Sequence, residues 1–205
     1  MLDAQEKTQK AAPKRAKGIL HGKRVIVLGA CCSFGRSTAR ALMACGAQVV
    51  AADSSADGLK HMGAAVPLHL KGEPEEALRR VGRAWGEARL DAVVNLMPLR
   101  HPDKIDLNIA ALQGIVQAFM PALSAREGQI VTVVARPEQA LEVGAGAMAP
   151  ALASAQGAFA HALRRDGLTL NMVNVSDVAI SPARAAVVGL LAGSLGPLNG
   201  SELRL

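Results

Sequence analysis

The chain has 205 residues, of which 50% are hydrophobic and only 2% aromatic, and its 23 basic and 17 acidic residues give a formal charge of +6. That length suits one domain with a sizeable core, and a core rich in Ala, Gly, Val and Leu relies on close backbone approach more than on large rings. Three clustered cysteines (Cys31, Cys32, Cys45) without metal or Cys-x-x-Cys spacing argue against a disulfide framework or a metal site, and no apolar run reads as long enough for a membrane span.

In chain order the first feature is a charged tail. Met1–Arg24 holds seven basic residues and two acids, +5 of the total +6, which leaves +1 for the rest. Residues 1–22 are therefore expected to form a basic, flexible tail able to meet an acidic partner, ahead of a single domain over 23–205. The tail lacks the apolar region of a secretory signal, and its acids argue against a transit peptide. It has no interleaved aromatics and no nucleic-acid motif, so nucleic acid is not the expected partner, although a tail-mediated lipid or nucleic-acid contact stays open. The expected compartment is a reducing cytoplasm.

After the tail, short apolar runs alternate with longer amphipathic ones. Arg24–Gly29 reads as a buried strand, and Gly35–Cys45 as a helix stopped by Gly46. Gln48–Ala52 is a second strand ending at Asp53, and Val66–Leu70 a third. Pro74–Ala88 is helical with Pro at its start. Asp91–Met97 is a fourth strand, followed by a long helix over Lys104–Ser124 with Asp103 as its N-cap. Gln129–Val134 is a fifth strand, and Ala149–Arg165 a helix closed by an Asp166-Gly167 turn. Leu168–Val175, Pro182–Ala192 and Glu202–Leu205 complete the pattern as strand, helix and short strand. This alternation predicts an α/β fold, a Rossmann-type doubly wound parallel sheet in a single domain.

The segment Gly29-Ala30-Cys31-Cys32-Ser33-Phe34-Gly35 lies between the first strand and first helix. Glycines there permit a tight turn and let a pyrophosphate approach a helix N-terminus, and Asp53 stands where an acid hydrogen-bonds the ribose hydroxyls of NAD. The same turn equally suits a junction that packs helix on sheet and binds nothing.

From Lys23 to Leu205 the chain resembles the short-chain dehydrogenase/reductase (SDR) family. The family's Thr-Gly-x-x-x-Gly-x-Gly motif corresponds to Leu28-Gly29-Ala30-Cys31-Cys32-Ser33-Phe34-Gly35, with the Thr and the middle Gly replaced. Leu90–Pro98 is similar to the fourth strand and its Asn-Asn-Ala-Gly motif, of which only Asn95 is kept. The resemblance implies NAD contacts at Gly29, Ser33, Phe34, Gly35, Asp53 and Asn95. It puts His69 where an acid near the adenine belongs. Asn108 matches the family's helix asparagine, while Ala135, Ala151 and Ala155 stand for the catalytic Ser, Tyr and Lys. The usual Pro-Gly after the sixth strand is Val175-Ser176, and the insert that covers the substrate is nearly absent.

Two facts do not depend on the alignment: the chain contains no tyrosine, and no lysine follows Lys104. General acid–base catalysis needs a titratable group within hydrogen-bond reach of the reacting atom, which alanine lacks. Asn108 cannot act as an acid alone. Substitutes among the remaining residues are His101, Glu138, Glu142, or a thiol of Cys31 or Cys32 lowered by the helix dipole. Each also suits a plain structural place, as does His161 beside Arg164 and Arg165. Met97, Met120, Met148 and Met172 read as core filler.

The reading is a catalytically degenerate SDR-like protein, a pseudoenzyme acting by binding, as subunit, stabiliser or regulator of a protein complex, with or without a held NAD. The alternative is a divergent NAD(P)-dependent oxidoreductase with an atypical active site. The resemblance also implies a homo-oligomer or a protein partner through helices 104–124 and 149–165, both rich in small residues.

Overall fold

The structure is a computed structural model that describes residues 18–136, 143–176 and 180–205. Most of the tail, with Glu138 and Glu142, lies outside the described residues. Seven strands form one sheet in the order β3-β2-β1-β4-β5-β6-β7, and every neighbouring pair is parallel. They are β1 (Arg24–Leu28), β2 (Gln48–Asp53), β3 (Val66–His69), β4 (Ala92–Asn95), β5 (Gln129–Arg136), β6 (Thr169–Ser176) and β7 (Glu202–Arg204). Parallel strands are covered on both faces and so read as continuous apolar runs; Val25, Ile26 and Val27 are all fully buried.

Helices cover both faces. On one side α1 (Ser33–Ala44) and α7 (Ile180–Ala192) enclose a core of Val25, Val27, Leu42, Val133 and Leu191. On the other, α3 (Pro74–Trp85), α5 (Ile105–Ser124) and α6 (Val143–Ala162) enclose Ile26, Leu78, Leu112, Phe119 and Met172. Trp85 meets Phe119 edge to face at 6.1 Å between ring centres, which ties the end of α3 to α5. Helix α5 has the length and hydropathy of a membrane span, contrary to the sequence expectation, but half of it is buried inside the domain.

The structure corrects several boundaries. The packed domain begins before Lys23: Leu20 is fully buried and its N–H donates to the carbonyl of Cys45 at 2.9 Å. Helix α6 starts at Val143, six residues earlier than expected, and its last part gives way to a 3₁₀ turn over Leu163–Asp166. Two short helices were not foreseen, α2 (Ala56–Leu59) and α4 (Met97–Arg100), the latter replacing the expected end of the fourth strand. Asp103 does not cap α5. The flanking residue is Lys104, without a side-chain cap, and the entry is held from inside, where Asn108 Nδ2 donates to the carbonyls of His101 (2.7 Å) and Lys104 (2.9 Å).

Candidate functional site

The strand order reverses direction between β1 and β4, and in open parallel sheets the crevice at such a point, beyond the strands' C-terminal ends, is where ligands bind. Its first wall is the glycine-rich turn. Gly29 has φ +73°, and a Cβ there would stand 3.1 Å from the carbonyl of Leu96. The N–H groups of Gly29 and Ala30 both donate to the carbonyl of Ala52 at 2.9 and 3.3 Å, drawing the turn toward β2. Helix α1 then starts at Ser33, capped by Cys32, whose Sγ accepts from the N–H of Gly35 at 3.2 Å. Any side chain at Gly35 would put Cβ 2.5 Å from the carbonyl oxygen of Ala30. Ser33 is exposed at the helix start, and Phe34 is buried as a core anchor. Arg36 donates to the carbonyl of Cys31.

Asp53 forms the second wall and is only 3% exposed. Its Oδ2 accepts from the N–H of Cys31 and its Oδ1 from the N–H of Ser55, each at 2.9 Å. The Arg100 guanidinium lies 3.8 Å from Oδ2. The carboxylate thus fastens the glycine-rich turn to the segment after β2. Burial first, and then the neighbouring Asp53, push the Cys31 thiol up to about 11, the opposite of the dipole effect expected from sequence. A thiol held up in this way carries little thiolate near neutral pH, and Cys31 packs into the core beside Phe34.

The third wall is α4. Fully buried Asn95 accepts the N–H of Met97 at Oδ1 (3.1 Å), which turns the chain out of β4 and into this helix. Its Nδ2 has no partner, and neither does the hydroxyl of buried Thr132, its register neighbour on β5. Buried Pro98 and half-buried Met97 occupy the wall. Between Gly29, Asp53, Leu70, Met97, Arg100 and His101 there remains a cavity of about 50 Å³. His69, at the end of β3, is exposed and its Nε2 lies 3.0 Å from the carbonyl of Ser54.

The remaining predicted positions lie on β5, α5 and α6. Ala135 is half-buried near the end of β5, and Ala151 and Ala155 are half-buried on α6. Asn108 is fully buried and also directs Nδ2 toward Met148 Sδ at 3.6 Å. His161 is exposed near the far end of α6, and borders a groove of about 640 Å³ at the opposite pole of the sheet. Met148 and Met172 are buried in the core, with Met97 and Met120 packed against it. Among the described residues no group of three or more His, Cys, Asp or Glu side chains is placed to hold a metal ion. The sequence reading missed Arg100 and Thr132. The only signal for Arg100 was a cation in the short Met97–Arg100 run after the fourth strand.

No protein-family model matches the chain, and no curated protein sequence does. Its architecture is shared with 1407 solved chains, so it cannot by itself specify a function. A crystal structure from Burkholderia xenovorans, provisionally described as a short-chain dehydrogenase/reductase, superposes with a TM-score of 0.78 at 18% identity. The match covers 92% of this chain and 96% of that one. The fold is therefore the SDR-like Rossmann fold over nearly the whole length. That fold implies a nicotinamide dinucleotide, but among the described residues the corner at Asp53, where its adenosine half would lie, does not fit one in this arrangement. Each oxygen of Asp53 accepts one backbone N–H, the Arg100 guanidinium stands 3.8 Å from Oδ2, and the cavity that both border holds about 50 Å³, against roughly 300–1,000 Å³ for ordinary ligand pockets.

Proposed function

We propose that this chain is a catalytically degenerate SDR-like protein that works by binding other protein surfaces, as a subunit, stabiliser or regulator of a complex. The observation that carries the reading is the set Ala135, Ala151 and Ala155, three methyl groups at the positions where the SDR resemblance calls for a hydroxyl, a phenol and an ammonium. None can give or take a proton, and no tyrosine exists elsewhere in the chain to replace the acid.

A second feature supports binding. From Leu107 to Ser124 and from Val143 to Ala162 the chain carries no Asp, Glu, Lys or Arg. Helices α5 and α6 nevertheless have exposed positions: Gln113, Gln117 and Pro121 on the first, Pro150, Ser154 and Ala158 on the second. Solvent-facing helix surfaces ordinarily carry charge, and its depletion marks the core of protein interfaces. The partner on this face is a second copy of the chain or a related protein, and the basic tail adds an acidic contact. The cysteines are free thiols, buried at Cys31 and half-buried at Cys32 and Cys45, as suits a reducing cytoplasm.

Light scattering on the purified full chain should give a mass of at least two copies, or a stable complex with a co-purifying protein. A strict monomer that co-purifies with nothing would remove the reading. Mixing the chain with NADH or NADPH and simple carbonyl substrates should give no turnover. Robust turnover would establish the oxidoreductase alternative, and its loss in His101→Ala would identify the acid.

A further inference from the structure

We infer that Arg100 bolts the nucleotide crevice shut: by lying over Asp53 it closes the corner that the adenosine half of a dinucleotide would need, and this contact rather than damage to the glycine-rich turn is what excludes such a ligand. The inference goes beyond the partner-binding reading and stands or falls separately from it.

The glycine-rich side of the crevice is intact. Gly29 keeps its left-handed turn, Gly35 keeps its close approach to Ala30, and α1 is capped. Ser33, which replaces a family glycine, is exposed rather than folded into the turn. The wall opposite carries Arg100. Arg100 is the last residue of α4, and both ends of that helix are anchored. Asn95 Oδ1 accepts from Met97 N–H at its start. At its end the N–H of His101 donates to the carbonyl of Met97 at 3.0 Å, and the carbonyl of His101 accepts from Asn108 Nδ2 at 2.7 Å. The backbone that carries Arg100 is thus held from β4 and from α5, and its side chain reaches across to within 3.8 Å of Asp53 Oδ2.

Part of the acceptor capacity of the carboxylate is already taken. Oδ2 accepts from the N–H of Cys31 and Oδ1 from that of Ser55, and Arg100 borders the same cavity with its guanidinium 3.8 Å from Oδ2. A ribose diol donates two hydrogen bonds to such a carboxylate, so it must first displace Arg100 and then find room in about 50 Å³. Arg100 itself is 32% exposed at the side chain, so it can be removed without opening a hole in the core.

The test is calorimetric titration of the full chain with NADH, in wild type, Arg100→Ala, Arg100→Met and the double variant Arg100→Ala, Asp53→Asn. The methionine keeps most of the length and removes the charge, and thermal unfolding checks that each variant is folded. Wild type should bind NADH no tighter than millimolar. Arg100→Ala should bind about tenfold tighter or more, the scale of a charged hydrogen bond released to the ligand. Arg100→Met should gain less, because it still fills the corner. The double variant should lose the gain, because the freed acceptor is then missing. Micromolar binding by wild type, a folded Arg100→Ala that binds no tighter than wild type, or a gain that survives in the double variant would each overturn the inference.

Discussion

At the scale of single residues, the glycine-rich turn is built by contacts that leave no room for a side chain. Ala30 and Gly35 approach so closely that Gly35→Ala must push the turn or the helix aside. Over-packing of this kind costs about 1–3 kcal/mol. Urea denaturation of Gly35→Ala should show a lower midpoint with an unchanged slope. Cys31 illustrates how position within a turn reverses an expectation. A thiol at a helix start is ordinarily acidified, but Cys31 lies before the capping residue, buried and beside Asp53, and is held up at about 11. In the folded chain iodoacetamide should therefore label half-buried Cys32 and Cys45 well before Cys31, and denaturation should remove the difference. The same shift has a sign in stability. Above a pH of about 8.5 the unfolded thiol loses its proton while the folded one keeps it, so stability falls from there until the folded thiol ionises near 11. Cys31→Ala should flatten that alkaline loss in thermal unfolding.

At the scale of elements, the strands were legible because buried parallel strands are short unbroken apolar runs, and Arg24–Leu28 and Gln129–Val134 are such runs. Helix ends were less so. Helix α6 begins in a stretch of Gly and Ala around Val143 that carries no cap signal, and the entry to α5 is set by the side chain of Asn108 rather than by Asp103. Helix α4 was invisible because four residues including Pro98 show no period; the bond from Met97 N–H to Asn95 Oδ1 creates it. At the opposite end of the sheet Asp91 joins two elements, accepting from the N–H of Arg24 at 2.8 Å and pairing with Arg89 at 2.9 Å. Burial pushes this carboxyl up, but the bonds from Arg89 and Arg24, with the charges of Arg89 and Arg126, outweigh it and leave it below the usual carboxylate range. A folded value below the unfolded one stabilises the fold above about pH 4, and that contribution drains away as pH falls through the lowered value. Asp91→Asn should lower the melting temperature at pH 7 and reduce its further drop below about pH 4.

At the scale of the molecule, the exposed positions that α5 and α6 offer between Leu107 and Ser124 and between Pro150 and Ala158 are uncharged, among them Gln113, Gln117, Ser154 and Ala158. Substituting Ser154→Arg and Ala158→Arg together, at two exposed positions on α6, should leave the fold intact by circular dichroism and reduce the mass in solution to that of one chain. Unchanged mass would place the interface elsewhere. The fold class was set by the sequence alone. The alternation of apolar runs and helical periods dictates a doubly wound sheet, and the absence of tyrosine and of any lysine beyond Lys104 removes the family's usual acid whatever the alignment. Those properties are local or compositional, so they survive without coordinates. The state of the crevice was decided only by tertiary structure. Asp53 reads in sequence as a free acceptor at the end of a strand. Only the strand order that brings β1 between β2 and β4 places Arg100 across from Asp53, and electrostatic contacts between distant segments depend on that adjacency rather than on any periodicity.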